Sequence, residues 1–324
     1  MNPVVAYIKA VRWQNLAIMA LIMYLLRWAV FKPYLALQSL ELQFSELDFF
    51  LLVLSVILVA GAGNIINDYF DIKIDRVNKP DRIIVGRHIK RRVAMASHIV
   101  MNGIAVALAG YVAIKAGSYQ LALIHVILIA TLWFYSTDFK RRLVWGNLAI
   151  ALCVAIVPLM VSIYEVPALV DEYHPFLEEH PQAYGPFMHT IKTLFFWTLA
   201  FSGFAFLMTF AREITKDIVD MKGDSAFGCK TMPVVFGIRK TSWILITIYL
   251  IVLGLVVFLH VNYVYDRLSA LYFYGFLGPL ILFIMWLTYS GKESKQFRFP
   301  AEMNKIASVV GILYMLIVYY HLSA

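Results

Sequence analysis

Charge is what this sequence has least of. Acidic and basic residues make up 15% of its 324 positions while 61% are hydrophobic, with a mean hydropathy of +0.75. Water-soluble domains carry about a quarter charged residues and an apolar share nearer half, so an ordinary soluble domain is excluded. Cysteine is also scarce. Its two occurrences, Cys153 in an apolar run and Cys229 in a polar segment, rule out a disulfide framework, a four-cysteine zinc site and a redox pair. Low-complexity tracts are missing too. A hydrocarbon core of roughly 30 Å takes about 20 apolar residues per helix, so nine spans leave only short loops and no room for a Rossmann sheet. The expectation is an all-α, polytopic membrane bundle of nine transmembrane helices, with residues 1–324 as one integral-membrane domain.

Apolar runs long enough to cross a bilayer fall near 13–31, 48–66, 93–114, 118–136, 145–163, 192–211, 241–260, 267–289 and 304–322. With the N-terminus in the cytoplasm, the inner segments hold Lys9, Arg12, eight cations in 67–92, three in 140–142, six in 212–240 and four in 292–305. The outer segments and helix ends hold only Arg27, Lys32, Lys115, Lys192 and Arg267. That split follows the positive-inside rule, and it accounts for the net charge of +8 better than a nucleic-acid partner does. The first run lacks a small-residue cleavage site and reads as a retained helix rather than a signal peptide. Segment 164–191, with Glu165, Asp171, Glu172, Glu178 and Glu179, reads as an acidic outer loop. His174, His180 and His189 in it have spacings that suit no metal site and are read as solvated.

Carboxylates near a membrane are costly unless paired, so each is a functional candidate. Two groups occur. At the inner end of the second span, Asn67, Asp71 and Asp75 stand at steps of four, with Asp68 beside them; on a helix they share one face. At the inner end of the sixth, Asp217, Asp220 and Asp224 repeat the pattern. Like charges so placed repel and call for a cation. Mg²⁺ prefers oxygen ligands and commonly bridges carboxylates to a substrate phosphate, which puts a diphosphate site at the cytoplasmic mouth.

Basic residues share that rim. Lys73, Arg76, Lys79 and Arg82 follow the first group, and Pro80 makes Asn78-Lys79-Pro80-Asp81-Arg82 a turn or extended stretch. Lys140, Arg141 and Arg142 lie just after Tyr135, and Arg12 precedes the first span, with Asn15 in its first turn. Arginine suits phosphate through two parallel hydrogen bonds. Candidate substrate contacts on this rim include Arg12, Asn15, Lys73, Arg82, Tyr135, Lys140 and Arg141. If a diphosphate leaves an allylic carbon, ring faces stabilise the cation without trapping it; Tyr69, Phe70, Tyr135, Phe206 and Phe210 lie near the acidic ends.

These residues resemble the UbiA superfamily of intramembrane prenyltransferases. The first motif, Asn-Asp-x-x-Asp-x-x-x-Asp, stands as Asn67, Asp68, Asp71 and Asp75, and the second, Lys-Asp-x-x-Asp-x-x-x-Asp, as Lys216, Asp217, Asp220 and Asp224. The resemblance implies that Asn67 and Asp71 hold one magnesium and Asp220 and Asp224 another. Asp68, Asp75, Asp217 and Lys216 would then take catalytic, supporting or acceptor-side roles. Arg82, Lys140 and Arg141 would grip the diphosphate of a prenyl donor whose tail lies in a lipid-like tunnel. Arg212-Glu213-Ile214-x-Lys216-Asp217 and the Asn-Lys-Pro-Asp-Arg turn look most like geranylgeranylglycerol-phosphate geranylgeranyltransferases, which implies an anionic ether-lipid acceptor. Ile83-Ile84-Val85-Gly86 departs from the proline-containing run expected there. An aromatic quinone precursor, hydroxybenzoate or dihydroxynaphthoate, stays open as the acceptor. A cation-coupled transporter, the reading from another class, would place its acids near mid-membrane on broken helices.

Overall fold

The structure, a computed structural model, describes residues 2–323, with the side chain of Arg82 outside that description. Among the described residues nine helices are long and apolar enough to cross a membrane: Trp13–Leu37, Glu46–Asn78, Arg91–Lys115, Tyr119–Thr137, Trp145–Glu179, Pro181–Ala226, Met232–Tyr263, Arg267–Ser290 and Ser294–Ser323. The chain is an integral membrane protein. Every helix but the fourth, which only shifts by one residue, outruns the apolar segment that announced it. The second span has 33 residues, roughly 50 Å at 1.5 Å per residue, because hydrophobicity ends at the membrane boundary while backbone hydrogen bonding continues past it.

Ser45 starts that helix by accepting the Asp48 N–H at 3.1 Å, with Glu46 and Asp48 in the first turn favoured by the helix dipole. A short helix, Pro3–Ala10, precedes the first span and buries Ala6 and Ala10 against Ile65, Val85, Ile89 and Ala94. Val85 and Ile89 belong to the tight turn after Arg82, so the apolar run that departs from the expected motif packs the base of this small cluster. Between the short helix and the first span the backbone reverses at Arg12, whose φ is +57°. Left-handed backbone is strained for a residue with a side chain.

The expected outer loop at 164–191 is not a loop. The fifth span continues to Glu179, and only the short turn Pro181–Ala183 separates it from helix beginning at Tyr184. Glu165 is buried, 2.8 Å from the equally buried Arg27, and accepts the backbone N–H groups of Gln43 at 2.5 Å and Phe44 at 3.2 Å. The Arg27 guanidinium also lies 4.5 Å from the centre of the Phe49 ring. Charge density in the sequence suggested solvent, whereas pairing across the bundle is what satisfies this carboxylate. His174 lies 3.8 Å from exposed Glu178, and His180 stacks on Phe176.

The second and third spans pack side by side, as do the fifth and sixth, and the second and sixth meet near their acidic ends. Gly63 lets the fourth span approach closely: a Cβ there would fall 2.7 Å from Leu132.

Candidate active site

Both acidic motifs lie on uninterrupted helix, the first on Glu46–Asn78 and the second on the long helix Tyr184–Ala226. Helical continuity puts Asn67, Asp71 and Asp75 on one face, and Asn67 and Asp71 are buried while Asp75 is half-buried. On the sixth span Asp224 is buried and Asp217 and Asp220 half-buried. The two motifs are joined directly. Asn78 Oδ1 accepts the Gly223 N–H at 2.7 Å, and a Cβ on Gly223 would fall 2.5 Å from that same amide, so glycine is what admits the contact. One residue on, Lys79 Nζ donates to Asp220 Oδ2 at 2.5 Å.

A third element closes the rim. The turn Phe139–Arg141 between the fourth and fifth spans directs Lys140 inward to form an ion pair with Asp71 Oδ2. The same ammonium lies within electrostatic reach of Asp75 and Asp224. Burial alone would lower its pKa, but Asp71 against it and Asp75 nearby hold it above the ordinary lysine range. Arg141 points outward, and its carbonyl oxygen accepts the Lys230 N–H at 2.9 Å, which ties this turn to the loop after the second motif. Asn147, on the first turns of the fifth span, donates to Asp217 Oδ2 at 2.7 Å.

Deeper in the bundle lies a second polar layer. Arg12 Nη2 pairs with Asp68 Oδ1 at 3.0 Å. Buried Glu213 accepts Lys216 Nζ at 2.9 and 2.7 Å and Arg212 Nη1 at 3.3 Å. Half-buried Tyr135 lies within electrostatic reach of Lys140, Asp71, Asp217 and Glu213.

The structure thus brings together Asn67, Asp68, Asp71, Asp75, Lys140, Tyr135, Arg12, Arg212, Lys216, Asp217, Asp220 and Asp224. Lys73 is exposed; two residues past Asp71, it falls on the far side of the helix. Asn15 is half-buried, and its side chain makes no hydrogen bond among the described residues, while the side chain of Arg82 lies outside them. Of the other aromatic candidates, Tyr69 lies beneath the Arg91 guanidinium, 4.5 Å from the ring centre, and Phe70 packs on Trp133, both at the third and fourth spans. Phe206 and Phe210 stack on each other. Sequence reasoning missed Asn147, for which no periodicity or charge pattern gave a signal, and left Gly223 and Glu213 without a role.

Magnesium can be tested against the groups present. Asn67 Oδ1 and Asp220 Oδ1 are buried with no hydrogen-bond partner among the described residues, and both belong to hard oxygen donors of the kind Mg²⁺ selects. No three His, Cys, Asp or Glu side chains among the described residues converge as a cation cage; Lys140 and Lys79 occupy Asp71 and Asp220. This donor set fits an ion that shares its coordination with substrate oxygens and water rather than one held by protein alone.

A model of the UbiA prenyltransferase family matches residues 33–308. The chain belongs to that family. The digeranylgeranylglyceryl phosphate synthase of Thermococcus gammatolerans is 34% identical over 194 residues, 60% of this chain and 59% of that protein. The enzyme of the same name from Methanosphaera stadtmanae is 29% identical over 313 residues, 96% of this chain and 95% of that protein. The solved structure of a digeranylgeranylglyceryl phosphate synthase shares the fold, with a TM-score of 0.63 at 20% identity over 99% of this chain and 100% of that one. A UbiA homologue from Archaeoglobus fulgidus, bound to DMAPP and Mg²⁺, has a TM-score of 0.59 at 16% identity, covering 97% of this chain and 99% of that one. In this chain uninterrupted helices carry the acidic motifs at their ends, unlike the broken helices expected of a transporter.

Proposed function

We propose that this chain transfers a geranylgeranyl group from its diphosphate to geranylgeranylglycerol phosphate, as a single domain with its active site facing the cytoplasm and with magnesium as cofactor. The observation that carries the reading is the convergence of both aspartate motifs with Lys79 and Lys140 at one end of the bundle. The names of the archaeal relatives support the acceptor, and so does the cationic layer around Arg212. The distribution of cations supports the orientation.

Asn67 and Asp71 would hold one ion and Asp220 and Asp224 the other. Bound there, magnesium supplies charge neutralisation to the departing diphosphate. Lys140, half-buried at the rim, meets the diphosphate together with Arg82, while Arg141, whose side chain points outward, braces this turn through its carbonyl oxygen. As the allylic C–O bond breaks, positive charge develops on carbon, and the Tyr135 ring faces it without donating a bond. The acceptor hydroxyl oxygen then bonds to that carbon and gives up its proton. Accepting the proton falls to the carboxylates outside the metal pairs, Asp68, Asp75 and Asp217, with Lys216 adjoining. An apolar cleft among the sixth to ninth spans, lined by Trp197, Phe201, Phe204, Phe273 and Tyr314, suits an isoprenoid tail and keeps water away.

The test is transfer from radiolabelled geranylgeranyl diphosphate with Mg²⁺ in detergent, offering geranylgeranylglycerol phosphate, hydroxybenzoate and dihydroxynaphthoate in parallel. Labelled diether is expected; a labelled aromatic product would move the enzyme to quinone synthesis. Asp71→Ala and Asp220→Ala are each expected to lower turnover at least about a hundredfold while the helical circular dichroism is unchanged.

A further inference from the structure

The deeper polar layer has more positive charge than its own carboxylates balance. On the sixth span Arg212 and Lys216 both bind Glu213, whose side chain is 9% exposed. Arg12 enters from the first span, paired to Asp68 but also within electrostatic reach of Glu213 and Lys216. Lys305 enters from the last span: its ammonium donates to Gln14 Oε1 at 3.1 Å, bridging the seam between the first and last spans, and it feels the charge of Arg212. In its ion pairs three cations, Arg12, Arg212 and Lys216, thus share two carboxylates, Asp68 and Glu213, and Lys305 adds a cation at the edge. Asp217, next along the helix, acts on Lys216 and accepts from Asn147 on the fifth span, and Glu302, exposed to solvent, acts on Lys305.

A further observation points to an anionic ligand. The donor Arg212 Nε is buried with no partner among the described residues. Yet the cations are not sealed in, since the side chains of Arg12, Arg212 and Lys216 are 37%, 24% and 32% exposed. The layer is also distinct from the diphosphate rim, where Lys79 and Lys140 are taken by Asp220 and Asp71.

We propose that Arg212, Lys216, Arg12 and Lys305, arranged around Glu213, hold the phosphate monoester of the acceptor lipid. A phosphate monoester carries about −2 at neutral pH, which suits a cluster where three cations share two carboxylates, and guanidinium groups bind its oxygens in pairs. Glu213 keeps Arg212 and Lys216 in place between turnovers, so the phosphate meets side chains already ordered. Held there, the headgroup places the acceptor hydroxyl beside Tyr135, between its own anchor and the diphosphate. The site rests on the acceptor proposed above, and it adds Lys305 and Glu213 to the specificity machinery.

Steady-state kinetics of the full-length chain in detergent test it, with geranylgeranyl diphosphate and geranylgeranylglycerol phosphate varied in turn. Lys305→Gln and Arg212→Gln are each expected to raise KM for the phosphorylated acceptor about tenfold, the loss of one charge-assisted hydrogen bond, with KM for the diphosphate moving less than about twofold. Lys305→Arg should restore the wild-type value, which a packing defect would not allow. Dephosphorylated geranylgeranylglycerol should be a poor acceptor for the wild type and should lose little further in either variant. If the wild type makes diether while both glutamine variants keep its acceptor KM, or raise both KM values equally, the site falls and the acceptor stands. If the wild type transfers only to aromatic acids, the acceptor reading falls and the phosphate site with it.

Discussion

Lys79 and Asp220 stand 2.5 Å apart although 141 residues separate them, and the pair closes the acidic rim from the first motif's side. A lysine ammonium here competes with a metal for the same carboxylate. Lys79→Gln is therefore expected to tighten Mg²⁺ binding by about two- to fivefold, the scale of a partly exposed ion pair, while turnover at saturating metal changes less. Competition against Mn²⁺ followed by paramagnetic resonance reads this directly. Weaker metal binding in the variant would show that Lys79 helps to assemble the site instead of screening it.

The contact between Asn78 and Gly223 has no spare room. In Gly223→Ala the new methyl lies 2.5 Å from the Asn78 amide, so the 2.7 Å hydrogen bond must break or the helices must part. The expected cost is about 1–3 kcal/mol of stability, with transfer activity falling because the motifs separate. Removing the obstruction in Asn78→Ala/Gly223→Ala should recover part of the melting temperature. Strict additivity of the two losses in a double-mutant cycle would mean that the residues do not couple.

The nine helices were legible because run length alone reveals a membrane span, and the shared face of Asn67, Asp71 and Asp75 because a step of four is a local property of helix. Their partners were not. Lys140 reaches Asp71 across 69 positions and Asn147 reaches Asp217 across 70, separations that no periodicity encodes. Helix ends were drawn short because the apolar signal stops where charge begins. At 164–191 the error had a specific cause: proline and carboxylate read as loop, yet Pro167 and Pro175 lie inside continuous helix, and Glu165 finds its counter-ion on another span. The family resemblance identified the acids, whereas Lys305 and Glu213 gained meaning only once the first, sixth and last spans were seen together.

Arg27 and Glu165 form the buried ion pair on the segments assigned by sequence to the outer face, with side chains 1% and 2% exposed. Arg27→Met leaves the Glu165 carboxylate buried without a counter-ion and is expected to cost about 3–5 kcal/mol; Glu165→Leu should cost less, since Arg27 keeps Glu46 at 3.7 Å, and the double substitution less than Arg27→Met alone. Thermal unfolding in detergent measures the loss. The KM values for donor and acceptor should stay at wild-type levels, since no group named in transfer touches this pair; a change confined to KM would instead connect this end of the bundle to the substrates.

Gly311 and Phe204 set the depth of the apolar cleft. A Cβ at position 311 would collide with the Phe204 ring, so Gly311→Ala must push the ring aside, and both residues line the apolar cleft among the sixth to ninth spans. With less depth, a long tail is penalised more than a short one. The variant is expected to shift the ratio of kcat/KM for geranylgeranyl over farnesyl diphosphate downward by about tenfold, the scale on which apolar pockets discriminate chain length. Phe204→Leu added to Gly311→Ala frees the space again and should return the ratio toward wild type. An unchanged ratio in both variants, with both proteins folded, would place the end of the prenyl tail elsewhere in the bundle.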